Sequence, residues 1–185
     1  GQVALQALWA LNLCGGFGKE VALQSLAHES SHVRRWTVRL LGDLGEVSEQ
    51  VTQSLIELAG REDDAEVRSQ LASTSRRLPA GDGLPILGRL LLRKEDADDP
   101  HLPLLVWWGF EAHAADLAAT LAHFEKTENW KGSLPVDGAP PHQNLMRRWA
   151  LAGGQSELEA CGRLLELATD DETRVQLLKG FEKAF

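Results

Sequence analysis

One helical opening recurs down this chain, and that recurrence constrains the fold more than any single residue does. Ser31-His32-Val33-Arg34-Arg35-Trp36 begins an apolar pattern of helical period. Asp64-Ala65-Glu66-Val67-Arg68 and Asp170-Asp171-Glu172-Thr173-Arg174 begin it again, and Leu145-Met146-Arg147-Arg148-Trp149 is a looser copy. A supersecondary unit repeated every few tens of residues is the sequence mark of a stacked solenoid. The intervals drift, with 34 residues from Val33 to Val67, then 37 to Leu104, 41 to Leu145 and 30 to Val175. Such drift suits degenerate helical repeats, and the internal signatures of ankyrin and tetratricopeptide arrays are missing.

Nearly every segment carries the helical period, and no stretch alternates strictly between turn signals as a strand does. The expected fold is all-α, an α-solenoid of about ten helices in about five hairpins. The pattern predicts a helix over 65–78 ended by Pro79, one over 84–93 with Pro85 in its first turn, and one over 144–151 after the Gly- and Pro-rich stretch 127–143. Asp64 and Asp170 precede helices whose positive N-terminal end they complement.

A lone helical hairpin leaves its apolar stripe in water, so each pair must lean on the next. Trp36 and Trp149 each follow an Arg-Arg pair, which predicts related places in the stack. Arg34, Arg68, Arg147 and Arg174 recur near helix starts, one per repeat, which favours pairing with acidic residues of adjacent repeats over an anion-binding stripe. With 43% hydrophobic residues, the core needs no disulfide, and Cys14 and Cys161 are expected as buried free thiols.

The formal net charge is −8, from 27 acidic and 19 basic residues. A general nucleic-acid or anionic-membrane binder neutralises phosphates, so neither partner is expected for this segment. No apolar run reaches the ~18–20 residues of a membrane-spanning helix. The chain opens at Gly1 without Met inside a helical pattern and ends at Phe185 in mid-pattern, which reads as one repeat domain, residues 1–185, of a larger multidomain protein.

The stretch 31–45, Ser-His-Val-Arg-Arg-Trp-Thr-Val-Arg-Leu-Leu-Gly-Asp-Leu-Gly, resembles HEAT-like repeats of the kind also seen in phycobilisome lyases. More narrowly, residues 32–43, 66–79 and 96–108 resemble the helical segment of large planctomycete-type "membrane-bound dehydrogenase", haem-binding multidomain proteins. The likeness covers roughly residues 1–125 and is poor beyond them. In that family a sugar-dehydrogenase-like propeller and a c-type cytochrome module are commonly joined to the helical part. The resemblance therefore implies an extracytoplasmic, redox-associated parent of bacterial type. Cys14-Gly15-Gly16-Phe17-Gly18 departs from Cys-x-x-Cys-His, so no covalent haem site carries over and no cofactor is assigned.

Chemistry-bearing motifs are sparse. His28-Glu29-Ser30-Ser31-His32 matches His-Glu-x-x-His, which in zinc peptidases sets two histidines one turn apart on a continuous helix. Here the repeat register puts the two serines in a loop, and Arg35 stands where the extended motif needs Gly. His101, His113, His123 and His142 are scattered and read as capping or packing residues. The acidic run 96–99 lacks the alternating spacing of a calcium loop and reads as solvated. Trp107 and Trp108 point about 100° apart on a helix, so both are buried only where the helix is enclosed on two sides; otherwise one ring faces a groove. Stretch 127–143, with Trp130, Gly132, Pro135, Gly138, Pro140 and Pro141, is the best candidate contact loop. The expected function is a noncatalytic scaffold that docks a protein or a neighbouring domain of its own chain. Its candidate surface residues are Trp107, Trp108, Trp130, Arg34 and Arg35, with no catalytic or metal residue assigned. A zinc peptidase on His28 and His32, and a nucleic-acid binder using Arg34, Arg35, Arg39, Arg76 and Arg77, are the alternatives.

Overall fold

The computed structural model describes residues 1–126, 130, 135 and 138–185. Gly132, in the candidate contact loop, lies outside the described residues. The described residues are all-α and of the α-solenoid class, with helices α1 (Gln2–Leu13), α2 (Lys19–Leu26), α3 (Ser31–Leu44), α4 (Glu49–Arg61), α5 (Ala65–Ser75) and α6 (Ala80–Leu91). After a 3-10 turn at Lys94–Asp96 come α7 (Leu102–His113), α8 (Leu117–Phe124), α9 (Pro141–Ala152), α10 (Gln155–Leu167) and α11 (Asp171–Glu182). The chain divides into two compact units, Gly1–Leu90 and Leu91–Phe185. No helix among the described residues is long and apolar enough to cross a membrane.

Packing runs between next-but-one helices. In the first unit α1 lies on α3, α3 on α5, and α2 on α4. In the second unit α7 lies on α9, α9 on α11, and α8 on α10. Short turns between helices make consecutive ones antiparallel, so every second helix has an equivalent face to offer its neighbour. Stacked helical repeats generate that pattern. The first unit buries Val33, Val38 and Leu41 of α3, Leu55 and Leu58 of α4, and Val67 and Leu71 of α5. The second buries Val106 and Phe110 of α7, Phe124 of α8, Met146 and Trp149 of α9, Leu164 of α10 and Leu177 of α11.

Polar ties also cross the stack. Thr74 Oγ1 donates to Val38 O at 3.0 Å from α5 to α3, and Thr52 Oγ1 donates to Asp82 at 2.9 Å from α4 to α6. In the second unit Trp149 Nε1 donates to Ala114 O at 2.8 Å. Trp36 is only half-buried, with Trp9 edge-on at 5.0 Å and the Arg39 guanidinium 5.5 Å from its ring centre. Trp36 and Trp149 thus do different work, because they sit at different depths of their helices: sixth in α3 and ninth in α9.

Several boundaries differ from the sequence pattern. The sixth helix begins at Ala80, not residue 84, so Pro85 lies inside it. Pro79 ends the preceding turn, its carbonyl accepting from Asp82 and Gly83 N–H, and helix formation starts immediately after it. Helix α9 likewise starts at Pro141, a residue preset for a first helical position, and takes the end of the expected loop. The acidic run is only partly solvated: Asp98 is exposed, but Asp96 is 2% exposed, and Asp99 accepts from the N–H groups of His101 and Leu102 to cap α7. Cys14 is exposed at the end of α1, against the expectation of burial, while Cys161 is buried; both are free thiols.

Two glycines mark the closest helix approaches. A Cβ on Gly180 of α11 would collide with the backbone carbonyl of Gln143 in α9. A Cβ on Gly42 of α3 would meet the far end of the Arg77 side chain, 2.6 Å from Nη2, and Thr74 Cγ2 at 2.9 Å. Backbone cannot yield as a side-chain tip can. Gly180→Ala should therefore destabilise the second unit by roughly 2–3 kcal/mol. Gly42→Ala should cost the first unit less, about 1–2 kcal/mol, since the Arg77 tip can shift and alanine favours the helix but the buried Thr74 must also give. Amide exchange in α9 and α11, against α3 and α5, reads the two effects; a larger loss from Gly42→Ala would contradict this ordering.

Candidate interaction surfaces

The arginines that recur in the sequence share one local geometry. Each is the fourth residue after its helix N-cap: Arg34 after Ser30, Arg68 after Asp64, Arg174 after Asp170. Each guanidinium folds back to a carbonyl six residues earlier, where the previous helix has just ended. Arg34 Nη1 donates to His28 O at 2.9 Å, Arg68 Nη1 to Glu62 O at 3.0 Å, and Arg174 Nη2 to Ala168 O at 3.2 Å. The last carbonyls of a helix have no partner within it, and a cation there also suits the helix dipole. The arginine therefore clasps the turn between two helices. In α9 the same register position is Asn144, four after Pro140, with its Nδ2 3.4 Å from Ala139 O. Arg147, the sequence-matched member, is exposed and outside the register. Counting from the cap, rather than from the Arg-Arg-Trp match, identifies the right residue.

Arg34 does more than close its own turn. Its Nε and Nη2 reach both carboxylate oxygens of Glu62, at 2.7 and 2.6 Å, across to the turn of the next helix pair. Glu62 is 3% exposed, and its carboxylate also accepts from Asp64 N–H at 3.0 Å. Burial pushes the Glu62 pKa up, but the hydrogen bonds from Arg34 and Asp64 outweigh it and leave the group below the ordinary carboxylate range. The Arg34 pKa is raised, chiefly by that same hydrogen bond. For Asp64 too, burial is overcome, here by hydrogen bonds from Ser31 and the N–H groups of Val67 and Glu66. Arg35 pairs with Glu66 at 3.0 Å and keeps about a third of its side chain in solvent. The sequence expectation of pairing with an adjacent repeat thus holds for Arg34, whereas Arg174 pairs locally with Asp171.

These turns enclose an open cavity of about 590 Å³, lined by His28, Glu29, Arg34, Arg61, Glu62 and Asp63 among others. His28 lies in the turn before α3 and accepts Ser30 N–H on Nδ1 at 2.9 Å, whereas His32 lies in the first turn of α3. The two histidines are not on one continuous helix, which is the geometry the His-Glu-x-x-His chemistry needs. Among the described residues, no group of three or more His, Cys, Asp or Glu is placed to hold a metal ion. Burial pushes the Cys161 thiol up to about 11, far from the reactive thiolate range.

The second unit carries the other candidates. Trp107 is half-buried and Trp108 is 42% exposed, so the pair is not enclosed on two sides. Glu111 lies one turn beyond Trp108 on α7, 3.8 Å from Arg148 of α9. Leu151, 56% exposed, lies one turn beyond Arg148. An indole, an arginine and an aliphatic side chain are therefore presented by two helices packed on each other. Trp130 is buried at 7%, donates Nε1–H to Phe124 O at 2.7 Å, and packs on the Phe124 ring at 4.9 Å. Its ring fills the core of its own unit, which removes Trp130 from the contact surface expected of it.

Residues 2–76 match the family model for HEAT repeats, a span that takes in α1 to α5 and less than half of the chain. No curated protein and no solved structure matches the chain. The first five helices are thus HEAT-like by sequence as well as by their next-but-one packing.

Because the folded-state pKa of Glu62 lies below its unfolded value, the unfolded chain takes up the proton first on acidification. The stabilisation is present in full above about pH 4.3 and is lost as pH falls through the folded value. Glu62→Gln should remove that acid dependence and destabilise the first unit by roughly 2–3 kcal/mol at neutral pH. Urea titrations followed by amide exchange in α3 and α5, at pH 7 and pH 3.5, measure both; an acid loss unchanged by the substitution would assign it elsewhere.

Proposed function

We propose that the chain is a noncatalytic protein-interaction scaffold whose contact surface is the α7–α9 face around Trp108. The observation that carries the reading is the 42%-exposed Trp108 indole on α7, one turn before the Glu111 that lies 3.8 Å from Arg148 of α9. Tryptophan and arginine are the residue types most enriched in binding hot spots, and a large indole held half in water gains most from being covered. The HEAT-repeat match over residues 2–76 supports the same class of role, since repeats of this kind commonly mediate protein interactions. Trp107 is the half-buried neighbour of Trp108 on α7, and Arg35 offers a second, partly exposed cation in the first unit. Arg34 contributes indirectly, by fixing the turns.

The proposal takes residues 1–185 as one repeat domain whose partner is a protein or a neighbouring domain, with neither nucleic acid nor membrane as its target. It extends to a redox-associated, dehydrogenase-like parent on the resemblance carried by residues 32–43, 66–79 and 96–108 alone.

A random peptide library panned on the folded protein tests the surface. Binders from the wild type should lose at least about thirtyfold in affinity to Trp108→Ala, the scale of a hot-spot residue. The same substitution should change stability by less than about 1 kcal/mol, as a half-exposed side chain does. Binders indifferent to Trp108 and to Arg148→Ala would place the contact surface elsewhere.

A further inference from the structure

Arg147-Arg148 repeats the Arg34-Arg35 pair by sequence, but the turn before α9 is held by Asn144 instead. Both arginines are exposed. Trp149, the next residue, is buried with its Nε1–H on Ala114 O, which fixes α9 against the end of α7 and leaves the two guanidiniums outside. Arg148 pairs with Glu111 at 3.8 Å, against 2.6–3.0 Å for the ion pairs of Arg34, Arg35, Arg93, Arg163 and Arg174. That separation is beyond hydrogen-bond range, so the Arg148 guanidinium keeps donors for a second carboxylate. Among the described residues, Arg147 has no acidic partner.

The charge of this face runs against that of the chain. Formal net charge is −8, yet α9 holds two arginines and no acid. Glu111 is the one acid of α7. Apolar side chains flank the charges, with Trp108 one turn before Glu111 and Leu151 one turn after Arg148, both largely in solvent.

We infer that the partner of this face is an acidic, amphipathic segment of protein, with apolar side chains on Trp108 and Leu151 and carboxylates on Arg147 and Arg148. The inference rests on the α7–α9 face being the contact surface of the scaffold, and adds what the surface selects. Opposite charge across an interface speeds encounter and excludes wrong partners, and an arginine fork takes a carboxylate in bidentate fashion. A basic segment would meet like charge at both guanidiniums. A long polyanion would run from α9 on to α10, which packs on it and carries Glu157, Glu159 and Glu166 against one Arg163. A short acidic stretch with apolar flanks meets neither penalty.

Glu111 supplies a signature. It offsets part of the positive charge, so its removal should help an acidic partner, a gain that loss of fold cannot mimic. Peptides from the random library that bind the wild type and lose affinity to Trp108→Ala are sequenced and re-synthesised. Asp and Glu should exceed Lys and Arg in them, relative to the unselected library. Arg147→Gln and Arg148→Gln should each weaken their binding about two- to fivefold, and Glu111→Gln should tighten it about twofold. Trp108-dependent binders that are neutral or basic, or that ignore the three charge variants, refute the acidic partner and leave the contact surface standing. A library without Trp108-dependent binders refutes both. A single-stranded DNA oligonucleotide that binds more tightly than the acidic peptides, and is lost in Arg147→Gln, makes the partner a nucleic acid and overturns the inference.

Discussion

Next-but-one helix packing is the constraint on which each unit depends. No helix pair here hides its apolar stripe alone, so α3 must find α5 and α9 must find α11. The approach is close enough that Gly180 lies against the Gln143 backbone and Gly42 against Arg77 and Thr74. Everything distinctive about the polar side chains follows from that closeness. Carbonyls at the turns are met by arginines and by the Trp149 N–H, and the mid-helix carbonyl of Val38 by Thr74.

The resulting surfaces are of two kinds. At the turns of the first unit, the polar and charged side chains are largely engaged with one another: Arg34 with Glu62, Ser31 with Asp64, and Arg35 with Glu66. Such a network fixes backbone and gives little to a partner. On the α7–α9 face of the second unit the opposite holds, since Trp108, Arg148 and Leu151 keep much of their surface in solvent. Binding energy comes from covering that kind of surface, which is why the scaffold reading attaches to α7 and α9 rather than to the arginine-rich turns.

The architecture was legible because helical period and recurrence are properties of many residues at once. Asp64 and Asp170 were legible as caps for a similar reason: an acid before an apolar helical run has few other uses. What escaped was register and depth. Arg147 matched the motif by identity but not by distance from its cap, so Asn144 took the place. Trp130 looked like a loop residue, yet its indole found Phe124 O and a buried slot. Asp96 and Cys14 exchanged their expected environments, the acid going inside and the thiol outside. Composition near a residue does not reveal which way its helix face turns. Glu62, central to the first unit, follows Arg61 in a plain acidic stretch, and only the turn opposite gives it meaning.

The six-residue reach of the arginine has a consequence for how such a chain can change length. If residues 31–64 were excised, Ser30 would join Ala65, and Arg68 would fall six positions after His28, where Arg34 now stands. The guanidinium would meet an equivalent carbonyl, and Arg34 and Glu62, which answer each other, would depart together. A rule local to each turn lets that turn close again when a whole repeat is gained or lost, whereas the helix faces on either side of the seam, α1 meeting α5 in place of α3, must still be made to fit.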